Sequence, residues 1–452
     1  MLIVLLIIIL SIPAVQTKIA KKVTQNLNES YGTDIQIDRL GLNWKGEVDI
    51  RGVYIQDHHR DTLIYAEYLQ TNILSIKKLI DGNLDFGFVD LTNAKLRVKT
   101  YLGETDDNLN IFTQKFDSGD TTEVKPFELL SRNIQLKNTA ISVIDENQED
   151  PVALDLKSLN LDADDFSING PIIETEINSL SFMEQRGLVV EKLKADFKYT
   201  ETQLFLNNLQ LATQHSSING DVVLTFENGM ADFTNQVLWD AQFETSSIAT
   251  NDLNKLYPEF GEDLQLELEG QFKGTLNDFE FRGANVSFAN SRVVGDFTGK
   301  NFFGEEPLYL NAQNHRIATS YFDLRRLMPN IIGKDLPETL KSFGNFSLVG
   351  NTELNGDLLR TNSQIYSALG YGKTHLEMGN IHDFNNAFYK GDLQLENFNM
   401  GSIAGTTSLG NITANLKFDG RGFTSQTVST QMNGTITSFQ FEDYTYRNIT
   451  IA

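Results

Sequence analysis

Leu264-Gln265-Leu266-Glu267-Leu268-Glu269-Gly270-Gln271-Phe272-Lys273 alternates strictly, with Leu264, Leu266, Leu268 and Phe272 on one parity and Gln265, Glu267, Glu269 and Lys273 on the other. Successive side chains of an extended chain point to opposite faces, so as a strand this segment is oily on one side and charged on the other. The pattern recurs. Leu193, Ala195, Phe197 and Tyr199 alternate with Lys192, Lys194, Asp196 and Lys198; Val222, Leu224 and Phe226 repeat it, as do Ile412, Ala414, Leu416 and Phe418. Many one-sided strands in series predict a one-sided sheet.

Parity slips in places. Leu154 and Leu156 give way to Leu159 and Leu161 across Lys157-Ser158, and Leu204 and Leu206 to Leu209 and Leu211 across Asn207-Asn208. A β-bulge or tight turn restores the facing, and both devices are expected to curl the sheet. Composition agrees with a β-dominated chain, since 33 Gly, 30 Phe and only 8 Pro accompany Asn and Asp between short apolar stretches.

The 60 acidic residues against 37 basic ones give a formal charge of -23. The phosphate-contact electrostatics of non-specific nucleic-acid binding are therefore absent, and nucleic acid is excluded as a partner. The same balance repels an anionic membrane surface, so membrane contact has to come from apolar burial. Cysteine is absent, which removes disulfides, thiolate metal sites and cysteine nucleophiles together.

From Met1 to Val15 nearly every residue is aliphatic, and Leu2, Ile3, Leu5, Leu6, Ile7, Ile8, Ile9 and Leu10 are read as a membrane anchor or signal-anchor over residues 1–17. The run is shorter than the roughly 20 residues of a full span and lacks a basic flank before it, so it is expected to be the tail of a longer anchor. Lys18, Lys21 and Lys22 alone would place the following chain in the cytoplasm; the envelope character of the rest overrides them.

Ile19, Val23 and Leu27 then mark a short helix that Gly32 closes, and Ser75 to Ile80 a second helical turn before Gly82. Ile35 and Ile37, Val48 and Ile50, and Val53 and Ile55 read as separate strands between glycines. Further on, Asp252-Leu253-Asn254-Lys255-Leu256-Tyr257-Pro258 is echoed by Asp323-Leu324-Arg325-Arg326-Leu327-Met328-Pro329, and Asn399-Met400-Gly401-Ser402-Ile403 is a third candidate start. Such repetition predicts degenerate units of about 70 residues, each a short helix or loop followed by strands. The expected divisions are the anchor, an N-terminal region at 18–125, a β-segment at 126–245 and degenerate repeats at 246–452.

The first 150 residues resemble the AsmA/TamB-like family, and within it the TamB-type translocation and assembly module proteins of Bacteroidetes-type bacteria. The likeness lies in the order and spacing of the aliphatic anchor, Tyr31-Gly32-Thr33-Asp34-Ile35, Asp38-Arg39-Leu40, Ser75-Ile76-Lys77-Lys78-Leu79-Ile80-Asp81-Gly82, Ala94-Lys95-Leu96-Arg97-Val98 and Asn108-Leu109-Asn110-Ile111-Phe112. Gly344-Asn345-Phe346-Ser347-Leu348-Val349-Gly350 and Tyr444-Thr445-Tyr446-Arg447-Asn448-Ile449 resemble that family's degenerate repeats. The resemblance implies an elongated, curled, taco-like β-groove with an apolar lining, held in the inner membrane by a single pass, with the bulk of the chain in the periplasm. Phospholipid is the implied cargo, in outer-membrane biogenesis. Assembly or secretion of outer-membrane proteins, with a BamA/TamA-like barrel as partner, is the alternative. Family members are longer, so the sequence reads as a fragment.

Catalytic chemistry finds no support. Gly372-Lys373-Thr374 lacks the earlier glycine of a P-loop, and Asp145-Glu146-Asn147-Gln148-Glu149-Asp150 lacks the glycine and distal glutamate of a calcium loop. His58-His59 falls in a polar turn without the helical spacing of a zinc pair. No catalytic residue, metal ligand or cofactor is therefore expected, and the chain is not expected to be an enzyme. The lining of the groove is assigned to Leu193, Phe197, Val222, Leu224, Phe226, Leu264, Leu266, Leu268, Phe272, Ile412, Leu416 and Phe418. A β-sandwich with the same faces packed on a second sheet, or a cargo-free stalk, would show the same alternation.

Overall fold

The structure is a computed structural model that describes residues 13–43, 46–74, 84–115, 128–149, 151–227, 232–303, 306–334, 336–383, 385–424 and 426–451. Strand accounts for 64% and helix for 12%, so the chain is mostly β, as the alternation predicts. It divides into two compact units, Met1–Ser217 and Ile218–Ala452.

In the first unit, helix α1 (Pro13–Tyr31) is continuous across residue 17 and ends at Gly32, which takes φ 63° and returns its amide to the Asn28 carbonyl at 2.9 Å. A left-handed glycine closing a helix is the C-cap the sequence predicts. Leu2, Ile3, Leu5, Leu6, Ile7, Ile8, Ile9 and Leu10 lie outside the described residues, as do the side chains of Ile19, Val23 and Leu27 and the turn at Ser75 to Ile80. Among the described residues, no helix is long and apolar enough to cross a membrane.

Polar side chains of α1 take the place of a neighbouring strand along β1 (Asp34–Leu42). Gln16 accepts from the Leu42 amide at 2.7 Å and donates to its carbonyl at 2.5 Å; Asn28 does the same for Ile35 at 2.9 Å each way. Thr17 sits between them, 3.2 Å from the amide and carbonyl of Leu40. An open strand edge is a template for unwanted pairing, and the helix blunts it.

On its other side β1 pairs antiparallel with β2 (Glu47–Gln56), which pairs with β3 (Thr62–Ile73). The two strands expected around Gly52 are therefore one. Gly52 takes φ 62° opposite Asp38, whose carboxylate would stand 2.1 Å from an added Cβ, so the glycine keeps the strand running rather than ending it. Strand β3 continues into β4 (Leu84–Thr100), and β4 pairs in parallel with β5 (Glu128–Asp145). The return needed for a parallel pair contains the short helix α2 (Asn108–Gln114), which Asp107 caps. Strands β6 (Val152–Asn169), β7 (Ile172–Glu184), β8 (Val189–Tyr199) and β9 (Gln203–Thr213) follow as an antiparallel meander. Ser158 and Asn208 take φ 52° and 53° at the two parity slips, where the strand registers shift. These are bulges.

The second unit opens with β10 (Ser217–Thr225) and β11 (Leu238–Ala249), then helix α3 (Thr250–Leu256). Strands β12 (Gln265–Gly274), β13 (Phe279–Phe288), β14 (Ser291–Lys300) and β15 (Tyr309–Ser320) lead to α4 (Tyr321–Leu327). Strands β16 (Asn345–Asn355), β17 (Leu358–Ser367), β18 (Gly370–Gly379) and β19 (Phe388–Asn399) lead to α5 (Met400–Ala404), then β20 (Leu409–Arg421), β21 (Ser429–Phe441) and β22 (Tyr444–Ile451). The two Asp-Leu heptads and Met400-Gly401-Ser402-Ile403 thus occupy one short helix each, after every fourth strand. From β11 to β22 all neighbours are antiparallel.

Among the described residues, each unit by itself is an open, uncurled sheet and not the taco expected from its bulges. The bulges are present, and from β11 to β16 every strand pair carries one register shift, after which β16 to β19 pair without a shift. They keep the apolar side chains on one face without closing that face.

Candidate functional site: an apolar sheet face

Residues opposed in an antiparallel ladder share a face, so the register shows what each face of the second unit carries. Starting from Ser246, the partners run Leu268, Val286, Val293, Ile317 and Leu348 across β12 to β16. The same row continues through Ile365, Gly372, Leu395, Ala414, Ile436 and Ile449. No charge interrupts it. With strands about 4.8 Å apart, its contour is about 50 Å.

A neighbouring row is aromatic at one end. Ala241, Phe272, Phe281 and Phe297 are successive partners. Phe272 stacks on Phe279 at 5.3 Å and meets Phe281 edge-on at 6.0 Å and Trp239 at 6.4 Å. Phe302 extends the cluster at 5.5 Å from Phe279, and Phe303 at 5.1 Å from Phe302. Further along, this row turns polar at Thr352 and Thr361, where a buried His315 presents Nε2 to the Thr352 hydroxyl at 3.0 Å. Burial pushes the His315 imidazole below its ordinary value, against opposing contacts from the Leu348 and His315 backbone. The hydroxyls of Thr352, Thr361 and Ser363 hydrogen-bond one another, while the buried Nδ1 of His315 has no hydrogen-bond partner among the described residues.

The opposite face is ionic. Arg360, Glu377 and Lys390 are cross-strand partners, with Arg360 Nε 3.1 Å and Lys390 Nζ 3.0 Å from Glu377. These two hydrogen bonds hold the Glu377 carboxyl below its ordinary value. A shallow cavity of about 910 Å³ lies there, lined by Asn311, Asn351, Arg360, His375, Glu377 and Lys390. Its charges are already paired, so it offers little unspent affinity for a ligand.

Cover over the apolar face is local. Met400 and Ile403 of α5, with Phe343, pack on a cluster of Leu369, Leu395, Phe398, Ile412, Ala414 and Leu416, whose members come from one neighbourhood of the sheet. Elsewhere in the row, Leu268, Val286, Val293, Ile317, Leu348 and Ile365 stay partly exposed.

The sequence-assigned lining residues distribute as follows. Leu266, Leu268 and Phe272 share one side of β12, with Leu264 just before it; Ile412, Leu416 and Phe418 share one side of β20. Val222 and Leu224 lie on β10, with Phe226 just past its end, all three buried. Leu193 and Phe197 belong to β8 of the first unit, opposite Leu211 and Leu206. Val286, Val293, Ile317, Leu348, Ile365 and Ile436 escaped sequence reasoning, because each sits in a strand with too few apolar repeats to stand out until register aligns it. Glu146 of the acidic turn pairs with Lys99 at 2.7 Å, and Asn147 donates to Asp145, as a solvated turn would. His58 and His59 both reach Glu104. No known protein-family profile matches the chain, and no curated protein matches it.

Proposed function

We propose that the chain carries phospholipid acyl chains along the apolar face of its sheet, as an inner-membrane-anchored envelope protein of the AsmA/TamB-like kind serving outer-membrane biogenesis. The observation that carries this reading is the charge-free row from Leu268 to Ile449, of which Leu268, Val286, Val293, Ile317, Leu348 and Ile365 stay partly exposed. A water-exposed apolar band of this length is costly unless something apolar lies against it, and a contiguous patch is a mark of an interaction surface. Acyl chains suit it because they need no hydrogen-bond partners and tolerate sliding, whereas the ionic opposite face stays solvated. The anchor and the periplasmic location of the bulk of the chain come from the sequence reading alone.

Assembly of outer-membrane proteins with a BamA/TamA-like barrel is the competing reading. Client capture by strand addition needs an open edge. At β1 that edge is already taken by Gln16, Thr17 and Asn28, so strand addition would have to use another edge.

Lipid extraction from the purified full chain tests the proposal. Phospholipid should copurify with the wild-type chain and fall several-fold in a Leu268→Asp, Ile317→Asp double variant. Equal or absent phospholipid in both would overturn it.

A further inference from the structure

Away from the apolar face, one group of side chains in the first unit gathers metal-ligating atoms: His58, His59 and Glu104 offer one ligand atom each, all within 4.8 Å of one another. His58 Nε2 stands 2.8 Å from Glu104 Oε2, and His59 Nε2 stands 2.7 Å from Glu104 Oε1. We propose that these three residues form a binding site for a divalent transition-metal ion of the zinc type, with two imidazole nitrogens and one carboxylate as protein ligands and water completing the shell.

The donor set suits such an ion. Imidazole nitrogen and carboxylate oxygen bind zinc at about 2.0–2.2 Å, which places neighbouring ligand atoms of a tetrahedral shell about 3.3 Å apart. The two nitrogen-to-oxygen separations are already shorter than that, so the ion would enter by spreading them slightly and drawing the two rings together. Partial exposure of all three side chains leaves room for water and a path of entry.

The frame around the ligands is rigid. Asp57 Oδ1 accepts the amides of His59 and Asp61 at 2.9 Å each, which fixes the turn that carries both histidines. Its Oδ2 accepts from Tyr101 Oη at 2.8 Å and from Asn108 Nδ2 at 2.9 Å. The Tyr101 hydroxyl also donates to Asp61 at 2.9 Å, and its ring lies 3.9 Å from that of His59. Groups that orient ligand side chains in this way are a recurring part of metal sites.

Charge favours a cation as well. Asp57, Asp61, Glu104 and Glu146 surround the cluster, with Lys99 paired to Glu146 at 2.7 Å. The ion would pin the turn after β2 to the loop after β4, which itself bonds to the β5–β6 turn through Gly103 and Asn147. That is the role of a structural metal. A plain hydrogen-bonded clasp is the competing explanation, and it predicts no metal affinity.

The test uses the full chain, free of any histidine tag and stripped with chelator, titrated with Zn²⁺ by calorimetry and with Co²⁺ by visible absorption. One equivalent should bind, and Zn²⁺ should raise the unfolding temperature. His59→Gln and Glu104→Gln should weaken Zn²⁺ binding by on the order of a hundredfold, and Tyr101→Phe by about tenfold, while His375→Gln in the exposed His375–Asp392 pair changes nothing. Far-ultraviolet dichroism of each variant separates lost ligands from lost fold. Absence of saturable one-equivalent binding to the wild-type chain would overturn the proposal, as would wild-type affinity in folded His59→Gln and Glu104→Gln.

Discussion

Truncating Leu266 to alanine measures whether the apolar face has a second layer upon it. Leu266 is 8% exposed and lies between its cross-strand partners Ile248 and Phe288. Removing its buried carbons forfeits about 2 kcal/mol of transfer free energy. In a closed core the vacated space adds a cavity cost, which takes such substitutions up to about 3–5 kcal/mol. Over a face with no second layer, solvent or a neighbouring side chain fills the gap, so the loss stays at about 2 kcal/mol. The adjacent Glu267 points the other way, is exposed, and accepts only from Ser247 Oγ at 2.7 Å. Glu267→Lys should therefore cost no more than about 0.5 kcal/mol. Urea unfolding followed by far-ultraviolet dichroism reads both values. A loss near 4 kcal/mol for Leu266→Ala would mean that a second layer covers the face, and equal losses at 266 and 267 would refute the assigned parity.

Two further perturbations test other parts of the structure. Asn28→Ala removes both partners of Ile35 and should destabilise the chain by about 2 kcal/mol while exposing the β1 edge to self-association; an unchanged melting temperature with no oligomers by light scattering would contradict the edge-capping role. Buried His315 has its folded value lowered below the unfolded value of about 6.5, so its contribution is complete above that pH and is lost as pH falls through the folded value. Stability should accordingly drop as pH falls below about 6.5 in the wild type. His315→Gln should flatten that drop, and parallel curves would contradict it.

What the sequence revealed was local, because local pattern answers to local stereochemistry. The alternation at Leu264 to Phe272 needs only the two-residue period of a strand, and the slips at Ser158 and Asn208 needed only the rule that an oily face must stay on one side. Gly32 was legible as a cap for the same reason. Gly52 misled because glycine serves equally to end a strand and to carry it past a crowding neighbour, and Asp38, which decides between them, is fourteen residues away in sequence. Register was out of reach: nothing in Val293 or Ile317 alone shows that they oppose each other. Glu104 was invisible beside His58 and His59 because their meeting depends on where β2 and β4 end. Gln16, Thr17 and Asn28 of α1 serve a strand edge that only the fold places beside them.

Site-specific photo-crosslinking in cells tests the lipid-carrying face most directly. A photoreactive residue at Leu268, Ile317 or Leu348, partly exposed on the second unit's apolar face, should label phospholipid, while the same residue at Glu267 on the ionic face should not. Labelling confined at all three apolar positions to protein from within the same chain, or lipid labelling at Glu267 equal to that at Leu268, would contradict it.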